Sequence, residues 1–285
     1  MNPRVMSLMT DRGYTEGPAL LDNGRVAFTS MSEGRVLILE GANVHTAIET
    51  GGGPTGLLVG HGGVVFIAQN NGQWGAPSNS EAVLMKWDGH QLSPVLDAPL
   101  TAPNDLCFGP DGQMYVTDPV TERALDSPVK GRVFRWDPSS DEVAVISDDI
   151  HFPNGIAFDQ HGALMVAETY TGRILELDPA TGNTTVFAET VDGKPDGMAF
   201  DIEGNLWVAV NASDSVQVFD SSGQMTDRLC LGDGSYPSNL CFAGSRLIVT
   251  TAGFGGAVSC DVGVAGLPLH RGLTSSDNMR ESTDG

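Results

Sequence analysis

Cysteine is scarce in this chain of 285 residues: there are 4, at positions 107, 230, 241 and 260, and none stands in a C-x-x-C pair. That spacing excludes a zinc ribbon or a dithiol redox motif. Cys107 and Cys241 fall inside apolar strand patterns, where a free thiol serves as a small core side chain. A reducing compartment fits this usage, and a cytoplasmic location is expected. Positive charge is also short, with 15 Lys and Arg against 36 Asp and Glu and a formal net of -21. Such a surface repels phosphate backbones and anionic headgroups, so no nucleic acid and no membrane is expected as a partner. No apolar run approaches the ~18 residues of a membrane span, and Met1-Asn2-Pro3-Arg4-Val5 opens without a targeting pattern. Helix signals are few. A Gly-x-Ser-x-Gly elbow and a Ser-His-Asp set are both missing, which removes nucleophile-elbow hydrolysis from consideration.

What the chain has in quantity is turn formers, Gly 36 and Pro 16, beside 40% hydrophobic residues. Together they predict short strands joined by tight turns around a sizeable core. An internal repeat organises them. Phe152-Pro153-Asn154-Gly155-Ile156-Ala157-Phe158-Asp159 followed by Gly162-Ala163-Leu164-Met165-Val166-Ala167-Glu168 is matched by Lys194-Pro195-Asp196-Gly197-Met198-Ala199-Phe200-Asp201 and Gly204-Asn205-Leu206-Trp207-Val208-Ala209. Ala102-Pro103-Asn104-Asp105-Leu106-Cys107-Phe108 with Tyr115-Val116-Thr117-Asp118 is a third copy, and weaker ones begin at Pro18, Pro54 and Pro237. Successive copies are 36, 49, 50, 42 and 42 residues apart. A period near 40–50 residues, with four strand segments per copy, is the signature of propeller blades. The fold expected is therefore all-β: a six-bladed β-propeller of four-stranded antiparallel blades around a central metal-binding channel, occupying residues 1–272. A β-sandwich does not predict a sixfold four-strand unit, and β-helix coils are shorter. Residues 4–9 are expected to supply the outer strand of the last blade, and the polar tail 273–285 to be disordered.

Innermost strands line the axis, so residues at one repeat position meet there at one depth. Counting ten residues back from the second-strand anchors Val26, Val65, Met114, Leu164 and Leu206 gives Glu16, Thr55, Asn104, Asn154 and Asp196, with Ser238 as the counterpart in the sixth copy. Every member of this ring carries a side-chain oxygen. The ordinary reading is that Asn and Asp after Pro are turn residues, but Glu16 is a poor turn former and shares the position. Two carboxylates and two amides in register supply hard oxygen ligands, which suits Ca2+. Mg2+ and Mn2+ are alternatives for the same oxygen cage, as is Zn2+ outside its usual coordination, because the ring has no His or Cys.

Fourteen residues beyond the ring positions lie Ser30, Gln69, Asp118 and Glu168. Asp118 and Glu168 are candidates for a second ion or a substrate contact, and equally for a turn cap or an Arg pair. His151, three residues before Asn154, is either a solvent-facing loop histidine or a pocket acid–base. The loops joining second and third strands share the ring's face, and Trp74, Phe152, Tyr170, Tyr236 and Phe254 are candidates for an apolar wall.

Glu16-Gly17-Pro18, Pro103-Asn104-Asp105-Leu106, Pro153-Asn154-Gly155 and Lys194-Pro195-Asp196-Gly197-Met198, in this order, resemble the SMP-30/gluconolactonase/luciferin-regenerating enzyme family over roughly residues 14–260. Pro103-Asn104-Asp105-Leu106 with Thr117-Asp118-Pro119 is closer to its bacterial gluconolactonase branch. The resemblance implies a six-bladed propeller with one catalytic divalent metal, usually calcium, acting on lactones. It implies Glu16, Asn154 and Asp196 as direct ligands, Asn104 on metal or substrate, and Asp196 as general base. Animal sugar-lactonase members carry an Arg where this chain has Ala102, so a polyhydroxylated sugar lactone is disfavoured. The expected function is metal-dependent hydrolysis of a small-molecule lactone or activated ester, with Thr55, Trp74, Asp118, His151, Glu168, Tyr170 and Ser238 around the substrate. Alternatives are organophosphate hydrolysis, a non-hydrolytic enzyme on the same scaffold, and a non-catalytic interaction propeller. The last has no use for an acidic axial ring, and systematic Trp-Asp strand endings are absent.

Overall fold

Asp159-Gln160-His161-Gly162 shows how the chain turns. The Asp159 carboxylate accepts the amides of His161 and Ala163, each at 2.8 Å, and Gly162 takes a φ of +86° that a side chain would resist. Asp201-Ile202-Glu203-Gly204 repeats the device, with Asp201 accepting from Glu203 and Asn205 at 2.9 Å. Each such turn joins an innermost strand to its neighbour, and successive hairpins build one blade.

The structure is a computed structural model that describes residues 4–41, 43–73, 75–96, 98–120 and 130–272. Strand β1 (Met6–Met9) is followed by β2 (Thr15–Leu20), β3 (Val26–Ser30), β4 (Arg35–Glu40) and β5 (Asn43–Glu49), which form blade one. Blade two is β6 (Gly53–Val59), β7 (Val65–Asn70), β8 (Val83–Trp87) and β9 (Leu92–Pro94). Blade three is β10 (Leu106–Phe108), β11 (Met114–Asp118), β12 (Lys130–Trp136) and β13 (Val143–His151). Blade four is β14 (Pro153–Phe158), β15 (Leu164–Glu168), β16 (Arg173–Leu177) and β17 (Thr184–Glu189). Blade five is β18 (Pro195–Phe200), β19 (Leu206–Val210), β20 (Ser215–Phe219) and β21 (Met225–Cys230). In blade six, β22 (Pro237–Ala243), β23 (Arg246–Thr251) and β24 (Gly256–Asp261) are completed by β1, which pairs antiparallel with β24. The ends of the propeller are thus closed in one sheet, as residues 4–9 led us to expect. The expected tail 273–285 lies outside the described residues.

Burial explains the imperfect alternation of the strand sequences. The first two strands of a blade are covered on both faces by their neighbours, so β15 (Leu-Met-Val-Ala-Glu) is buried throughout. Outermost strands face water, and β17 is buried only at Ala188. The apolar clusters lie between blades: Leu58, Phe66 and Leu84 of blade two pack against Leu106, Met114 and Phe134 of blade three. The four cysteines are free thiols, and Cys107 and Cys241 are buried as expected. No helix of the described residues is long and apolar enough to cross a membrane.

Candidate metal centre and active site

The residue after each ring position explains how six strands reach the axis. It is Gly17, Gly56, Asp105, Gly155, Gly197 and Asn239 in turn. A Cβ on Gly155 would lie 2.3 Å from the Asp196 carbonyl oxygen, and one on Gly17 2.3 Å from that of Thr55. These glycines are required by strand-to-strand contact between neighbouring blades, not by a turn. The pairing of first and second strands shifts register at this point, between Glu16 and Ala19, Pro153 and Ile156, and Pro195 and Met198. Such bulges re-aim side chains, and here they turn the ring residues to the axis.

Hydroxyl groups weld the ring from blade to blade. Thr29 donates to the Thr55 carbonyl, Thr117 to that of Asn154 and Thr169 to that of Pro195, each at 2.8 Å. Ring members Thr55 and Ser238 do the same, donating to the carbonyls of Pro103 at 3.0 Å and Thr15 at 2.8 Å. Their hydroxyls therefore hold the scaffold. Glu16, Thr55, Asn104, Asn154 and Asp196 come together on one cavity of about 200 Å³, which Tyr14, Met31, Phe152, Thr169, Tyr170, Lys194, Asn211 and Ala212 complete. Ser238 is outside that lining but lies against the Glu16 carboxylate.

The ring brings two buried carboxylates to one end of the axis. Glu16 and Asp196 are 5% and 7% exposed. Burial pushes the Glu16 carboxyl up, opposed by the Gly17 amide, which donates to Oε2 at 3.2 Å. Burial also raises Asp196 far above the carboxylate range, and the charges of Glu16 and Asp105 add to the effect. The phenol of Tyr14 is raised by burial and then by the same two ring carboxylates. Two carboxylates in this position resist simultaneous ionisation unless a cation joins them. The Asn154 Oδ1 is one of nine buried side-chain polar atoms without a hydrogen-bond partner among the described residues, and the one that belongs to the ring. Two carboxylates, an unpaired amide oxygen and the Asn104 amide are a hard-oxygen donor set, and they fit Ca2+ better than a thiophilic metal. Among the described residues no group of three or more His, Cys, Asp or Glu is arranged to hold a metal, so an ion here would depend on the amides as well.

A layer deeper, Asp105 and Asn239 face each other across the axis, and the Asn239 amide donates to Asp105 at 3.4 Å. Burial pushes Asp105 up to about 6 against the Leu106 amide and Asn239. Beneath them opens a cavity of about 340 Å³, walled by Phe108, Phe158, Phe200 and Phe242.

Of the two alternatives open for Asp118 and Glu168, the structure shows the Arg pair and not the substrate contact. Both are buried at the second-strand ends opposite Arg132 and Arg173. Asp118 pairs with Arg132 at 2.5 Å and accepts the amides of Thr101 and Ala102. Glu168 is bound by Arg173 and Thr171 and accepts the His151 amide at 2.8 Å. Burial raises Glu168, but Thr171, His151 and Arg173 outweigh it and hold the carboxyl below the usual range. These carboxylates bracket the segments that lead into Asn104 and Asn154 and do not line the cavity. His151 closes strand β13 opposite Lys130, also away from the cavity. Phe152 and Tyr170 do form its wall, edge to face with centroids 4.8 Å apart. Tyr236 and Phe254 are exposed elsewhere. Trp74, and residues 121–129 of the long blade-three loop, lie outside the described residues. Sequence reasoning missed Tyr14 and Lys194. Both stand two residues before a ring member, and extending the register by two positions finds them.

Residues 14–253 match the SMP-30/Gluconolactonase/LRE-like region. The chain belongs to that family. Among curated family relatives, adipocyte plasma membrane-associated protein of Danio rerio is 28% identical over 247 residues, 74% of this chain and 58% of that protein. The chain thus spans under two thirds of the length of this relative. A gluconolactonase from Xanthomonas campestris superposes with a TM-score of 0.74 at 24% identity, covering 91% of this chain and 89% of the other. The calcium-binding protein regucalcin from Agrobacterium tumefaciens superposes with a TM-score of 0.77 at 20% identity, covering 95% and 97%. At these identities the two structures establish the shared family fold.

Proposed function

We propose that the chain is a divalent-metal-dependent hydrolase of a lactone or activated ester, with calcium as the metal. The observation that carries this reading is the axial donor set: two buried carboxylates of raised affinity for protons beside the orphaned Oδ1 of Asn154. Relatives named gluconolactonase and calcium-binding regucalcin support it. Glu16, Asn104, Asn154 and Asp196 would hold the ion. Bound there, a divalent cation supplies Lewis-acid polarisation of the carbonyl and charge for its developing oxyanion.

The rest falls to side chains of the protein. The carboxylate of Asp196 accepts a proton from the attacking water. Tyr14, Phe152 and Tyr170 enclose the reacting ring and limit water. Asp118 and Glu168 fix the chain on either side of Asn104 and Asn154, so ligand geometry does not drift. Ala102 is fully buried and offers no polar group to the cavity, which disfavours a polyhydroxylated substrate. The cavity is smaller than the ~300–1,000 Å³ typical of drug-sized ligands, so the substrate is built on one small ring.

The test is a panel of lactones, aryl esters and organophosphates assayed with calcium and with chelator. Lactone or ester turnover that chelator abolishes and calcium restores is expected. Asp196→Asn should lower kcat by ~10²–10⁴, the usual contribution of a general base. Turnover that survives both chelation and this substitution contradicts the proposal.

A further inference from the structure

The residues two before each ring member share one register position: Tyr14, Gly53, Ala102, Phe152, Lys194 and Tyr236. Of these, Tyr14, Phe152 and Lys194 line the cavity, and Lys194 is the one cation in the layer. Its ammonium stands 4.5 Å from the centroid of the Tyr170 ring, above the aromatic face. Tyr170 is braced in turn against Phe152. Burial pushes the Tyr170 phenol up to about 12, so this neighbour carries no negative charge. Among the described residues Lys194 makes no ion pair, whereas seven other basic side chains do. A ring face holds an ammonium in place without neutralising it.

The charge balance of the loaded site gives this cation a purpose. A divalent ion matches the two charges of Glu16 and Asp196, and Asp105 lies a layer deeper against Asn239. Counting Asp105 as well, the loaded set sums to zero, and Lys194 is its one positive charge on the mouth side of the ion. The chain as a whole has a net charge of -21 and repels anions. At physiological salt that field is screened beyond ~8 Å, so the local ammonium decides what the mouth accepts. Among the described residues Ala102 adds no polar group to the cavity from blade three, whereas Lys194 adds one from blade five.

We infer that Lys194 is the specificity-determining residue of this site, and that its substrates are small lactones or esters carrying an anionic group on the side remote from the scissile carbonyl. The inference rests on the hydrolase reading. A merely structural lysine, propping Tyr170 over the cavity, would affect charged and uncharged ligands alike.

The test compares two γ-lactones that differ only in a ring carboxylate or carboxamide, using the calcium-loaded full chain. The ratio of their kcat/KM values should favour the carboxylate. It should fall about tenfold in Lys194→Met, return in Lys194→Arg, and stay put in Lys86→Met, which removes an exposed lysine of blade two. Raised ionic strength should lower the wild-type ratio and leave that of Lys194→Met unmoved. An equal change for both lactones in Lys194→Met, or no wild-type preference, overturns the inference. Calorimetry with phenylacetate and phenylacetamide separates this result from failure of the hydrolase reading. If no lactone is turned over, a tenfold drop in the binding ratio in Lys194→Met still upholds the anion site, and an unchanged ratio sinks it.

Discussion

Replacing Glu16 by Gln should stabilise the metal-free protein at alkaline pH while removing its response to calcium. Burial pushes the Glu16 carboxyl up to about 8 from an ordinary 4.5. Between those values the folded chain holds a proton that the unfolded chain has released. The stability contributed by the protonated form is therefore complete below pH ~4.5 and is lost as pH rises through ~8. Each pKa unit corresponds to ~1.4 kcal/mol, which sets a ceiling of ~5 kcal/mol. Relaxation and water entry reduce buried electrostatic terms, and ~2–3 kcal/mol is the working magnitude. For a domain of this size that is a Tm change of roughly 3–5 °C. Glutamine is nearly isosteric and does not titrate. In chelator, Glu16→Gln should match wild type at pH 5 and melt several degrees higher at pH 8. Calcium at a thousandfold excess over its Kd should add ~4.1 kcal/mol to wild type and little to the variant, reversing the order. Calorimetric melts at both pH values, with calcium and with chelator, provide the comparison. A metal-free wild type whose Tm is flat from pH 5 to 8, or a variant that gains nothing at pH 8, refutes the reasoning.

Asn154→Ala removes the orphaned Oδ1 and also the amide that bonds the buried Asp196 carboxylate, so the metal-free protein should lose ~1 kcal/mol, while calcium binding weakens at least tenfold in titration calorimetry. Gly155→Ala places a methyl 2.3 Å from the Asp196 carbonyl oxygen; the strands must separate, and a loss of more than ~2 kcal/mol together with weakened calcium binding is expected. Arg173→Met leaves the Glu168 carboxylate buried without its cation, so denaturant melts should show a loss of ~3 kcal/mol, with kcat of the remaining folded enzyme close to wild type.

The propeller and its ring could be read in the sequence because both follow from one repeat. Once Leu164 and Leu206 are aligned, Asn154 and Asp196 must share a depth, and Glu16, Asn104 and Thr55 follow from the same count. The contributions of Asp118 and Glu168 could not be read that way. Their orientation depends on which third-strand residue each meets, and Arg132 and Arg173 are found only when β11–β12 and β15–β16 are paired. The need for Gly17, Gly56, Gly155 and Gly197 after four of the ring residues was not legible, because nothing local reveals a neighbouring blade within van der Waals reach. His151 looked like a loop residue and is the last residue of β13, where its amide rather than its ring contributes, by donating to Glu168. Lys194 was visible in the Lys-Pro-Asp-Gly motif, but its place on the rim needs both the register and the Tyr170 face.

The central claim is that Glu16, Asn104, Asn154 and Asp196 hold one divalent ion. Anomalous diffraction from crystals soaked in Mn2+ tests it most directly. The account predicts a single strong peak on the propeller axis within coordinating distance of oxygens from all four side chains, lost in Glu16→Gln crystals. No axial peak, or a peak confined to the Asp105–Asn239 layer, contradicts it.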